Sequence, residues 1–105
     1  MRISDNIRIS EGISHKALVI LDAIQKGKKP SYKVWFAVTT TGGSGDLLYI
    51  LSSREFFSPL YRKRGCRLLG LAGSRQEAYD IVLDIVKTGY DNNAISDMKQ
   101  FVEDF

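Results

Sequence analysis

The side chains best suited to chemistry lie in a basic segment just past the middle of the chain. This segment contains Tyr61, Arg62, Lys63, Arg64 and Arg67. Cations at this density can contact the phosphates of nucleic acid or another polyanion, and the tyrosine ring offers a surface on which a base can stack. The same composition is typical of a solvated helix C-terminus, where cations oppose the helix dipole. We favour the helix end because no nucleic-acid-binding motif accompanies the cluster.

A second candidate site is the turn that contains Gly73, Ser74 and Arg75. Backbone amides at a helix N-terminus attract anions, and Arg75 adds a positive charge there. However, Ser74 and Glu77 have the S-x-x-E spacing of a capping box, in which two side chains occupy the free amides. We therefore interpret the turn as a helix cap and keep a small-anion site as the alternative.

Hydrolytic and metal chemistry have few side chains to work with. His15 and Cys66 are the only histidine and the only cysteine. The common zinc sites need more of both residue types, and a nucleophilic Cys–His pair requires a contact that the sequence does not establish. The sequence therefore predicts no catalytic residue, no metal site and no cofactor. It favours a non-enzymatic domain, although it does not decide the question.

The element that would position these residues is a strand and helix between residues 66 and 87. Residues 66–72 form a short apolar run, which predicts a buried strand. After Ser74, apolar residues recur at helical spacing and predict a helix with a wide inward face. That face comprises Ala78, Tyr79, Ile81, Val82, Leu83, Ile85 and Val86. We expect Gly89 to end the helix and the helix to form the centre of the core.

The remaining segments predict further helices and a hairpin. Residues 14–26 have helical periodicity and are followed by Gly27, a residue type typical of the first position after a helix. Residues 32–40 and 47–51 predict two strands of a hairpin. Ser58 and the proline after it suit the start of a short helix. Apolar residues at helical spacing near the C-terminus predict a final helix.

These elements predict one α+β domain over residues 1–105. Its order is helix, strand, strand, short helix, strand, helix, helix, and helices pack on a mixed sheet in two layers. The sheet has three strands, or four if the end of segment 1–10 forms an edge strand.

The distribution of charge along the chain indicates what kind of partner the protein could bind. The net charge is +3, with +8 in residues 1–75 and −5 in residues 76–105. Such asymmetry is consistent with an anionic partner, with internal neutralisation, or with contact to a second copy of the chain. The N-terminus lacks a secretory hydrophobic region, and no apolar run approaches the roughly 20 residues of a membrane span. We expect a cytoplasmic protein without membrane contact.

The predicted function is that of an interaction module without catalysis, which binds a protein partner or forms a homodimer. The first alternative is nucleic-acid or polyanion binding through residues 62–67. The second is binding of a small anion at residues 70–75. A solvent-exposed apolar patch would favour the interaction module, because monomers rarely expose large ones.

Overall fold

The chain forms a four-stranded sheet with helices on both faces. The computed structural model describes residues 2–28, 34–41, 46–58 and 66–105. The strands are β1 (Arg2–Ile9), β2 (Phe36–Thr39), β3 (Tyr49–Ser52) and β4 (Arg67–Ala72). The helices are α1 (Glu11–Ser14), α2 (Ala17–Gln25), α3 (Ser53–Phe56), α4 (Arg75–Asp91) and α5 (Met98–Asp104), and a 3₁₀ turn at Ile95–Asp97 precedes α5.

The sheet has the strand order β1-β4-β2-β3. β4 pairs in parallel with β1 on one side and antiparallel with β2 on the other. β2 and β3 form the predicted hairpin, in which Val38 lies opposite Ile50. The predicted α+β class and mixed sheet are confirmed, and the segment before residue 10 supplies the fourth strand, at the edge of the sheet.

Two hydrophobic clusters lie on opposite faces of the sheet. The first cluster joins α1, α2 and α3 to the sheet and includes Ile13, Ile20, Ile24, Trp35, Phe56 and Leu68. The second joins α4 and α5 to the other face and includes Val38, Leu69, Ile81, Ile85 and Val102. Apolar residues occupy both faces of β2 and β4, so both faces require a cover. The domain therefore has one helical layer more than the two layers that we expect from the sequence.

Local sequence signals place several helix ends. Gly27 has φ +69°, as expected for a glycine that follows a helix. The hydroxyl of Ser74 accepts a hydrogen bond from the Glu77 amide at 3.2 Å, so α4 begins as predicted. A second S-x-x-E sequence, Ser52 to Glu55, forms a complete capping box at the start of α3. That signal is absent from our sequence prediction, and the short helix predicted after Ser58 falls on residues outside the described ranges.

The prediction that α4 ends at Gly89 is wrong. The helix continues to Asp91, and Gly89 is buried against α5. A Cβ atom at Gly89 would lie 2.6 Å from the Met98 sulfur and 3.1 Å from the Phe101 ring. This glycine therefore permits the close approach of two helices, and the chain reverses instead at Asn93, which has φ +57°.

The Ser74 cap yields a direct test. We expect Ser74→Ala to lower the free energy of unfolding by about 0.5–2 kcal/mol, because the Glu77 amide loses its acceptor. Urea denaturation followed by circular dichroism measures the change. Ser96→Ala is the control, since Ser96 is exposed and is not an N-cap residue. Equal midpoints for the two variants would contradict the role of Ser74.

Candidate interaction surface

The predicted basic cluster is only partly within the described structure. Tyr61, Arg62, Lys63 and Arg64 lie outside the described ranges, so phosphate binding by these residues stays a prediction. Arg67 lies in β4 and is half-buried, and its guanidinium donates to the backbone carbonyl of Glu103 in α5. The contact of Arg67 is thus structural, because it links the sheet to the last helix.

The turn before α4 is closed by three polar groups. The Gly73 amide donates to the hydroxyl of Ser10 at 3.1 Å and to the carboxylate of Glu77 at 3.0 Å. The Ser10 hydroxyl also donates to Glu77, at 2.9 Å. An anion that used the Gly73 amide would have to displace the carboxylate. The small-anion site at Gly73, Ser74 and Arg75 therefore stays a prediction. The Glu77 carboxylate already accepts the hydrogen bond that such an anion would need.

Arg75 contacts an aromatic ring. Its guanidinium carbon lies 5.0 Å from the centroid of Phe36, within the range of a cation–π interaction. Phe36 begins β2, so this contact joins the first turn of α4 to the sheet. A structural role for the arginine is sufficient to explain its position.

A cleft of about 350 Å³ lies between the end of β1 and α4. The carboxylates of Glu11, Glu77, Asp80 and Asp84 line it, and Arg8 is the lining cation. Arg8 binds Asp84 at 2.8 Å, which leaves an excess of negative charge that disfavours an anionic ligand. Within the described ranges, no group of three or more His, Cys, Asp or Glu side chains is placed to hold a metal ion.

The thiol of Cys66 is poorly suited to nucleophilic chemistry. The residue is buried, and it forms no disulfide. Burial and the nearby Glu103 carboxylate raise the pKa of this thiol, against the opposing effect of Lys99. A raised pKa keeps the thiol protonated at neutral pH, whereas the thiolate is the reactive form.

The outward side of α4 carries large apolar side chains. Our sequence prediction places Tyr79 and Leu83 on the inward face, but these side chains are 49% and 66% exposed, and Tyr90 is 53% exposed. The buried face is narrower and consists of Ala78, Ile81, Ile85 and Gly89. The prediction is wrong for Tyr79 and Leu83 because the sheet and α5 cover only part of the helix circumference.

The exposed residues form one continuous row. Tyr79, Leu83, Val86 and Tyr90 follow the spacing i, i+4, i+7, i+11, which places them along one face of a helix. We call these four residues the α4 row. Val86 is half-buried, and it links Leu83 to Tyr90. In the sequence, the α4 row is visible as a second set of apolar residues at helical spacing, beside the set that is buried. Apolar content alone does not show which of the two sets packs against the sheet.

Other exposed apolar residues do not form such a row. Leu18 and Val19 of α2 are 82% and 57% exposed, but consecutive helical residues point in directions about 100° apart. Asp22 and Lys26 form a 2.9 Å ion pair on the same helix. Leu18 thus serves as a comparison for Leu83, because it is a single exposed leucine on the opposite face of the sheet.

No helix in the described ranges combines the length and the apolar character that crossing a lipid bilayer requires. Comparisons of the chain with protein-family models, with curated proteins and with solved structures find no match.

Proposed function

We propose that this domain is a non-catalytic cytoplasmic interaction module that binds a protein surface through the α4 row. The observation that carries the proposal is the exposure of Tyr79, Leu83 and Tyr90 along one helix face. A single exposed apolar residue is ordinary, whereas a continuous group of them is typical of a binding surface.

The composition of the α4 row supports a protein partner. Tyrosine is enriched at protein interfaces because its ring buries a large area while its hydroxyl remains able to form a hydrogen bond. The exposed Asp80 and Lys87 lie beside the row and supply a polar rim. An apolar centre with a polar rim is the usual anatomy of such interfaces. The buried Cys66, which forms no disulfide, is consistent with the reducing environment of the cytoplasm.

Site-specific photo-cross-linking in the producing cells tests this proposal. A photoreactive phenylalanine analogue replaces Leu83 in one strain and Leu18 in another, because both positions are exposed and lie on opposite faces. We expect protein adducts from position 83 and few from position 18. Changing Tyr79 and Tyr90 to serine in the same chain should remove those adducts. Equal labelling from the two positions would contradict a binding role for the α4 row.

A further inference from the structure

The four residues of the α4 row have a symmetric order. Their spacings are four, three and four residues, with a tyrosine at each end and aliphatic residues between. The row is about 16 Å long at the rise of an α-helix. Reversing its direction exchanges Tyr79 with Tyr90 and Leu83 with Val86. Reversal exchanges tyrosine with tyrosine and one aliphatic residue with another, so the row can pair like with like against an antiparallel copy, as the self-complementary patch of an isologous interface does.

We propose that the α4 row is the contact of a two-fold homodimer, in which the α4 helices of two copies pack antiparallel. The proposal rests on the proposed function and identifies the partner as a second copy of this chain. Tyr79 of one copy packs against Tyr90 of the other, and Leu83 packs against Val86. Each of these contacts occurs twice, because the symmetry axis passes between Leu83 and Val86.

Charges beside the α4 row select the antiparallel direction. Asp80 and Lys87 are both exposed, and they lie on the same side of the row. In an antiparallel pair, Lys87 of each copy approaches Asp80 of the other, which gives two equivalent ion pairs. A parallel two-fold pair would instead place this flank of the two copies on opposite sides of the contact, so neither ion pair would form. Asp84 does not disturb this pattern, because its carboxylate is bound by Arg8.

The size of the surface determines the expected affinity. Two half-exposed tyrosines and one largely exposed leucine offer roughly 300 Å² per copy, well below the ~800 Å² that each partner buries in a standard interface. We therefore expect a weak, reversible dimer with a dissociation constant of about 10–1000 µM.

Sedimentation equilibrium over a range of chain concentrations tests the dimer. We expect Leu83→Glu to raise the dissociation constant at least about tenfold, because it places a carboxylate at the centre of the contact. Leu18→Glu, on the opposite face, should leave the constant unchanged. Circular dichroism establishes that both variants fold, and an exposed site predicts that they do.

Charge reversal tests the antiparallel arrangement. Asp80→Lys and Lys87→Asp should each raise the dissociation constant by roughly three- to tenfold, because each change turns both ion pairs into repulsive pairs. The double variant, Asp80→Lys with Lys87→Asp, should restore the original affinity with the charges exchanged. Failure of the double variant to recover would overturn the antiparallel pairing.

The outcome separates this proposal from the proposed function. A chain that remains monomeric at millimolar concentration overturns the homodimer. So does self-association that Leu83→Glu leaves intact. If cross-linking from position 83 still captures a different protein, the interaction module stands while the homodimer fails. If neither experiment gives an α4-dependent complex, both proposals fail.

Discussion

Replacing Trp35 with alanine should lower the free energy of unfolding by about 3–5 kcal/mol. The side chain is fully buried, and its ring centroid lies 5.6 Å from that of Phe56 and 6.1 Å from that of Phe57. Its carbonyl also accepts a hydrogen bond from the Ser53 amide at 2.7 Å, so this residue, which directly precedes β2, links that strand to α3. Removing the indole would leave a cavity between the sheet and α3. A loss of this size is a large part of the ~5–15 kcal/mol that stabilises a domain.

The conservative variant Trp35→Phe serves as the control. The indole nitrogen has no hydrogen-bond partner among the residues that the structure describes. Phenylalanine at this position therefore reduces the side-chain volume without removing a hydrogen bond to any of those residues. We expect a cost below about 2 kcal/mol. Urea denaturation followed by circular dichroism is the measurement, since the variants lack the single tryptophan needed for fluorescence. A cost below about 1 kcal/mol for Trp35→Ala would show that the aromatic cluster is not part of the core.

The second large effect is expected on α4. Ile85→Ala should cost about 2–5 kcal/mol, because Ile85 is fully buried in the cluster beneath that helix. Leu83→Ala, two residues earlier, should change stability by less than about 0.5 kcal/mol, because Leu83 is 66% exposed. Isoleucine and leucine differ in helix propensity by only a few tenths of a kcal/mol, so a difference of about 2 kcal/mol or more between the variants measures burial.

Equal losses for Ile85→Ala and Leu83→Ala in urea denaturation would contradict the orientation of α4. They would also remove the basis of the α4 row, because its residues would then contribute to the core. This pair of variants therefore tests the fold and the interaction surface with one measurement.

The sequence predicts local structure best where a single residue fixes the hydrogen bond or the φ angle of a nearby backbone position. Ser74 caps α4 because its hydroxyl lies within reach of an amide three residues on, and Gly27 adopts a positive φ that other residues avoid. Both signals are contained in a few neighbouring residues. The prediction that Gly89 ends α4 is wrong because this glycine makes room for Met98 of another helix. Only the tertiary structure brings the two residues together.

The interaction surface is harder to predict for the same reason. Apolar residues recur along α4 with two overlapping helical periodicities, one through Ile81 and Ile85 and one through Leu83 and Tyr90. Hydrophobicity does not distinguish them, because the choice depends on how much of the helix the sheet covers. The sequence likewise predicts the strands but not the order β1-β4-β2-β3, which depends on pairing between distant segments.

The pairing of β1 with β4 has a consequence for how the chain folds. Arg2 lies opposite Arg67, and the hydroxyl of Ser4 donates to the carbonyl of Phe105, 101 residues away. Contacts between such distant residues form slowly, because a long loop must close first. The β2–β3 hairpin needs no such closure and can form early. Until β1 docks, β4 presents an open edge, and strands from other nascent chains can pair with it during synthesis.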